Sequence, residues 1–350
     1  MRIVVVGATG NVGTSTVRAL AADPAVDEIV GLARRLAQLA IPKTSWVTAD
    51  ITTADLVPLF LDADAVIHLA WLIQPSRDER VTYQVNVEGS RRVFEAAARA
   101  GVPAVVYASS VGAYAPGPKD RKVDESWPAT GIAGSFYSRH KAAVERLLDA
   151  FEGEHPEVRV VRLRPALIFQ RDAASEIRRL FAGPLLPSAL VRRELVPVVP
   201  DTPGLRFQAV HSADVGEAYR LAAVSDARGA FNIAADPVLD AQVLGRLLGA
   251  RPVGVPARVL RAAAALTWHL RLQPTSPGWV DLALAVPLLY SGRARRELGW
   301  SPQHTADQAF TELFDGLREG AGAPTPPLDP QAGGPMRVRE LLTGVGQAPR

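Results

Sequence analysis

The chain has 350 residues, 48% hydrophobic and 21% charged, with a formal net charge of +3. It contains no cysteine, which excludes disulfides, thiolate metal sites and a cysteine nucleophile and fits a cytoplasmic location. The isoelectric point near 9.4 comes from arginines scattered among acids rather than a basic stripe, so no nucleic-acid partner is expected; nor does any apolar run approach the roughly 18 residues of a membrane span.

Ile3 to Val6 is a short β-branched run without alternation, as in a strand buried on both faces of a parallel sheet. A glycine turn follows, then helical spacing over Val12 to Ala22. Glu28 to Leu32, Trp46 to Ala49 and Ala65 to Leu69 read as strands two to four, with a short helix over Ala54 to Phe60. Arg77 to Ala100 is strongly helical and is stopped by Gly101-Val102-Pro103. Ala104 to Ala108 and Val158 to Leu163 are strands five and six, on either side of a helix over Ser135 to Phe151. This alternation builds right-handed βαβ units, hence an α/β fold with a doubly wound parallel Rossmann sheet. In such a sheet the ligand lies beyond the carboxyl ends of the strands, where Gly7, Asp50, Ala70 and Ser110 fall.

After Arg164-Pro165 the pattern loosens, with prolines at 184, 187, 197, 200 and 203. Gln208 to Val224 restores a strand followed by a helix, and Ala257 to Leu272 and Gly278 to Leu289 are apolar helical stretches. The expected organisation is a dinucleotide-binding domain over 1–165 plus 205–235 and a smaller, mainly helical substrate region over 166–204 plus 236–319. A flexible Pro/Gly-rich tail over 320–350 would carry a short helix near Val338 to Leu342.

The turn Gly7-Ala8-Thr9-Gly10-Asn11-Val12-Gly13 joins a strand to a helix. Glycines there allow a tight turn and close approach of backbone to a pyrophosphate, which the helix N-terminus stabilises. The spacing differs from G-x-G-x-x-G, but its position assigns Gly7, Thr9, Gly10, Asn11, Val12 and Gly13 to a cofactor. Tyr137 and Lys141 lie one turn apart on one helix face, in a chain whose only lysines are Lys43, Lys119, Lys122 and Lys141. An ammonium beside a phenol favours the phenolate and brings a group of ordinary pKa about 10 toward use as a base. The histidines His68, His140 and His211 read as packing or structural residues. No His/Asp/Glu cluster has metal-ligand spacing, so no metal is expected.

In combination these motifs resemble the extended short-chain dehydrogenase/reductases, the NAD-dependent epimerase/dehydratase family, over about residues 1 to 312. The resemblance implies that Asp50, with Ile51, meets the adenine and that Leu69 and Ala70 pass the cofactor ribose. It matches Asn86 to the family's helix asparagine and places Pro165, in Arg164-Pro165, at a later landmark beside the cofactor. Ser110 rather than Ser109 becomes the hydroxyl that binds the substrate oxygen, and Tyr137 the general acid/base. Lys141 holds the nicotinamide ribose and lowers the Tyr137 pKa.

Three departures refine this. The second strand ends in Arg34-Arg35, suited to a 2′-phosphate, where an NAD site expects an acid; NADP is therefore favoured over NAD. Phe207, with Arg206 beside it, stands where sugar-nucleotide epimerases of the family carry arginine, and Gln170-Arg171 replaces a Gly-Pro. The expected function is NAD(P)-dependent oxidation or reduction of a small-molecule secondary alcohol or carbonyl, of apolar or moderately polar character. The alternatives are a nucleotide-sugar epimerase/dehydratase that reduces its NAD transiently, and a non-catalytic dinucleotide-sensing regulator. A homodimer through the helices Arg77 to Ala100 and Ser135 to Phe151 is expected by analogy.

Overall fold

The computed structural model describes residues 1–36, 39–183 and 195–332. Its central sheet has seven strands: β1 (Arg2–Val6), β2 (Glu28–Ala33), β3 (Thr44–Thr48), β4 (Ala65–His68), β5 (Ala104–Ala108), β6 (Arg159–Pro165) and β7 (Gly229–Ile233). They lie in the order β3-β2-β1-β4-β5-β6-β7, and every pairing is parallel. This is the doubly wound α/β sheet that the alternation of strands and helices predicts. The seventh strand, Gly-Ala-Phe-Asn-Ile, carries too few apolar residues to be read as a strand from its own pattern; pairing with β6 creates it.

Successive residues of β1 face opposite ways, so Ile3 and Val5 join one core and Val4 and Val6 the other. The helices that cover these faces are, in chain order, α1 (Asn11–Ala22), α2 (Val57–Phe60), α3 (residues 79–99), α4 (Phe136–Glu154) and, beyond a single turn at Ala174–Ile177, α5 (Ser212–Val224). Val17 and Leu20 of α1 pack with Val215, Ala218 and Tyr219 of α5 on the first face. Phe60 of α2, Val93 and Phe94 of α3, and Val144 and Leu148 of α4 fill the second. Within α3 the stretch Gln84–Glu88 widens into a π-turn, a feature that re-aims side chains and recurs at functional sites.

Two expectations are corrected. The helix expected over Gly278 to Leu289 ends at Ala285, because Pro287 cannot continue it; Leu288–Leu289 instead pairs with Lys122–Val123. The tail expected to be flexible from Gly320 is folded back over residues 320–332, with Leu328 fully buried. Pro184, Pro187 and the short helix expected near Val338 to Leu342 lie outside the described residues. Among the described residues no helix is long and apolar enough to cross a membrane.

Candidate active site

Strand order reverses between β1 and β4, with Val6 opposite His68, and a crevice must open beyond such a switch point. Gly7 follows β1 at φ +89°, and a Cβ there would stand 2.6 Å from the backbone nitrogen of Ala70, just past β4. Glycine is thus required for the two strand ends to approach. A Cβ on Gly13 would stand 2.3 Å from the Gly7 carbonyl oxygen, so this glycine lets α1 start immediately against the turn. Gly10 caps α1 with extended backbone and no side-chain hydrogen bond, and the first turn carries no acid. The N-terminal end of α1 suits an anion, and the carboxyl of Glu176, which lines the same cleft, already lies at the Asn11 amide.

The crevice is a cleft of about 440 Å³. Gly7, Thr9 and Gly10 line its floor, Arg34 and Arg35 the end beyond β2, Asp50 and Ile51 the end beyond β3, and Leu69 and Ala70 the side beyond β4. Thr52 donates its amide and hydroxyl to one oxygen of Asp50, at 2.9 and 2.7 Å. Burial opposes charge on this carboxyl, but those bonds and the charge of Arg34 hold it below its ordinary value.

Six residues expected at the cofactor do not line the cleft. The Asn11 side chain ties α1 to the Ile168 carbonyl at 3.2 Å and accepts from Gln170 at 2.8 Å. Val12 packs into the first core, and Gly13 acts through the close contact above. Asn86, fully buried on the π-turn, accepts from the Leu72 amide at 2.7 Å and donates to its carbonyl at 2.8 Å. It holds the cleft-lining segment after β4 rather than facing the cleft. Pro165 is buried at the end of β6 beside Ile233. Lys141 packs against the Trp71 ring.

Ser110, Tyr137 and Lys141 come together where β5 meets the start of α4. Ser135 caps α4 by accepting from the Ser138 amide. The Ser138 hydroxyl then bridges the Gly112 carbonyl and the Ile132 amide, fastening the Ser110 turn to the helix. A Cβ on Gly112 would meet the Tyr137 ring at 2.8 Å, so the turn presses directly on the phenol. Ser110 lies close enough to Tyr137 to pull its pKa down, and its hydroxyl accepts from the Gly112 amide at 3.0 Å. Ser109 instead donates to Glu145.

Two tryptophans frame the phenol: Trp71 edge-on at 5.8 Å and Trp279 at 5.0 Å between centroids. Lys141 donates to the Ala108 carbonyl at 2.6 Å and stands 3.5 Å from the ring centroid of Trp71, which lines the cleft while Lys141 does not. Burial pushes Tyr137 up to about 12, against the pull of Ser110. Burial also drives Lys141 well below its ordinary value, with Glu145 opposing. In both groups burial is the leading cause of the shift, and neither figures among the causes of the other's.

A switch-point cleft with a glycine floor, beside a Ser–Tyr–Lys set, coincides with a sequence match. Residues 3–234 match the NAD dependent epimerase/dehydratase family. The chain belongs to that family. It is 25% identical over 346 residues to an uncharacterised protein of Mycobacterium tuberculosis, covering 94% of this chain and 86% of that one. It is 27% identical over 325 residues to a 3 beta-hydroxysteroid dehydrogenase/Delta 5-->4-isomerase of the same organism, covering 81% and 84%. Among solved structures, the dTDP-glucose 4,6-dehydratase DesIV of Streptomyces venezuelae with NAD bound superposes with TM-score 0.68 at 22% identity, covering 91% and 97%. The UDP-glucose 4-epimerase of Thermus thermophilus with NAD gives 0.67 at 23%, covering 91% and 99%.

The cleft of this family member fits a dinucleotide. At Gly10 an added Cβ would find no atom nearer than 3.9 Å, so bare backbone faces the open cleft beside the helix end. Like the other members, which are NAD-dependent epimerases, dehydratases and dehydrogenases, this chain is an enzyme.

Reading the epimerase/dehydratase motifs alone misses Trp71, Ser138 and Glu145. Glu145 is buried, accepts from Arg164 through both oxygens at 2.9 Å, and pairs with Arg162 at 3.1 Å. Its only sequence signal is the i, i+4, i+8 spacing Tyr137, Lys141, Glu145 on one helix face. The three-dimensional fold also gathers His211, His304 and Glu312, whose ligand atoms lie within 4.8 Å of one another, a grouping that sequence spacing conceals. His211 Nδ1 accepts from the Ala213 amide at 3.2 Å, so its hydrogen is assigned to Nε2, 3.1 Å from Glu312. That nitrogen is then a donor with no lone pair for a cation, and the trio reads as a clasp between α5 and the helix Ala306–Glu319.

Proposed function

We propose that the protein is an NAD(P)(H)-dependent oxidoreductase that interconverts a carbonyl and a secondary alcohol on an apolar small molecule. The observation that carries this reading is the enclosure of the Tyr137 phenol, next to Ser110, by carbon and aromatic surface. Trp71 and Trp279 flank it, Phe181 stands 4.9 Å from Trp279, and Ile132, Leu282 and Val286 close the cluster. Arg206, the arginine nearest the family's sugar-nucleotide position, instead donates to the Lys119 carbonyl and lies 3.9 Å from Asp240. Phe207 packs with Ala209, Leu239 and Phe310. These placements favour an apolar ligand over a nucleotide sugar, and the hydroxysteroid dehydrogenase among the relatives makes hydroxysteroids the first class to test.

When bound, the dinucleotide supplies or accepts the hydride. Gly7, Thr9 and Gly10 would hold its pyrophosphate and Asp50 its adenine, while Arg34 and Arg35 favour an NADP 2′-phosphate. A phenol held protonated is suited to giving its proton to the substrate oxygen in the reducing direction. Ser110 orients that oxygen, and Lys141 anchors the Ala108 carbonyl beneath it.

Nicotinamide absorbance, followed over ketosteroids, simple ketones and UDP- and dTDP-sugars with each cofactor, tests this directly. Tyr137→Phe should lower kcat by roughly 10²–10⁴-fold while leaving cofactor affinity unchanged. Turnover that survives Tyr137→Phe, or conversion confined to the nucleotide sugars, would count against the reading.

A further inference from the structure

The cleft has a wall that the family's motifs do not supply. The helix Ala306–Glu319 ends at Gly320 in the left-handed conformation, and the chain turns back over the turn Ala174–Ile177. Ser175 donates to the Ala321 carbonyl at 3.1 Å, Ala323 to the Leu328 carbonyl at 3.2 Å, and Asp329 to the Thr325 carbonyl at 2.8 Å. Leu328 is fully buried with Ala173 and Ala323, and Thr325 is 1% exposed. A Cβ on Gly322 would stand 2.1 Å from the Leu328 carbonyl oxygen, so the fold-back depends on that glycine. Arg179 fastens its far side, donating to the Asp329 carbonyl at 2.9 Å and to the Pro327 carbonyl.

Pro326, Pro327 and Ala332 of this segment, with Glu176, Arg179 and Leu180, line the same cleft as Gly7, Thr9 and Gly10. We infer that residues 321–332 form a strap that closes over a dinucleotide in the cleft, making the C-terminal segment part of the cofactor site. The inference rests on reading the cleft as a dinucleotide site. The strap offers carbon rather than charge: two proline rings, already restricted in φ, cover a ligand with little loss of chain entropy and exclude water from it. Leu328 is the anchor, because it is the large apolar side chain that the strap buries.

The test uses the full-length chain with NADH and NADPH as probes. Saturating dinucleotide should slow amide hydrogen exchange over residues 321–332 of the wild type. Leu328→Asp, which places a carboxylate in the buried anchor, and Gly322→Val, which drives a side chain into the strap's own backbone, should each raise the dinucleotide Kd by about tenfold while keeping the circular dichroism of the sheet. The exchange measurement decides the matter if either variant fails to fold. Unchanged exchange over the strap at saturation, or two folded variants that bind within about twofold of wild type, would overturn the strap alone. A wild type that binds neither dinucleotide would sink the reading of the cleft, and the strap with it.

Discussion

Arg34 and Arg35 stand exposed beyond β2 and line the cleft on that side, and the charge of Arg34 reaches Asp50. A guanidinium gains more from a phosphate than from a hydroxyl, because charge-assisted hydrogen bonds contribute about 1.5–3 kcal/mol against about 1 for neutral ones. Replacing both by alanine should therefore weaken NADPH by roughly 10–100-fold and leave NADH almost unchanged, as isothermal titration would show. Equal losses for the two cofactors would place the arginines outside the 2′-recognition set. At this scale the sequence was most informative where chemistry fixes both residue type and local spacing. Tyr137 and Lys141 share a helix face, and the glycine turn occupies consecutive positions. It was silent on Trp71, whose hold on Lys141 joins residues seventy positions apart, and on Asn86, which works through the backbone of Leu72.

Among elements, α4 and β6 are joined by the pairing of Glu145 with Arg162 and Arg164. Burial works against the Glu145 charge, but Arg164, Ser109 and Arg162 outweigh it and hold the carboxyl below its usual range. Removing one partner of a buried pair costs more than the pair contributes, since the remaining charge stays desolvated. Glu145→Gln should lower stability by about 3–5 kcal/mol, measured by urea denaturation at neutral pH; a loss under about 1 kcal/mol would mean the arginines find other partners. Of the six strands read from apolar runs, the inner ones are present because burial on both faces selects apolar, often β-branched sequence, whereas β3 is an edge strand with no buried residue and is held by its pairing with β2. β7 was not legible because its pairing with β6, rather than its composition, makes it a strand. The overlong helix at Gly278 fails for a local reason, Pro287, that apolar periodicity outweighed in the reading.

For the whole molecule, the doubly wound sheet follows from alternation that any stretch of the first 165 residues displays. The strap does not, because Gly, Pro and Ala composition says nothing about what a segment rests on, and Leu328 alone marks the contact. Global stability carries a further consequence of burial. His68, fully buried with Nε2 2.9 Å from the Ser90 hydroxyl, is pushed down to about 3 by desolvation and by Lys141. His140 sits between the rings of Tyr83 and Phe136 and is pushed down to about 4 by burial, with Glu79 opposing and Arg139 assisting. Both folded values lie below the ordinary 6.5, so on acidification the unfolded chain takes up these protons first. Their contribution to stability is complete above about pH 6.5 and is lost as pH falls toward about 4 for His140 and about 3 for His68. Glu176 runs the other way: burial pushes it up to about 7, so it favours the folded state as pH drops below that value and partly offsets the histidines. His211 is lowered too, by burial and by His304, and Glu125 is raised by burial, so three histidines against two carboxyls give a net decline between about pH 6.5 and 4.5. His140→Gln removes one titration and should flatten that decline by about 1–2 kcal/mol over the interval, read from urea midpoints at its two ends. Wild type and variant losing stability in parallel would show that His140 is protonated in the folded protein, and that Glu79 prevails over burial.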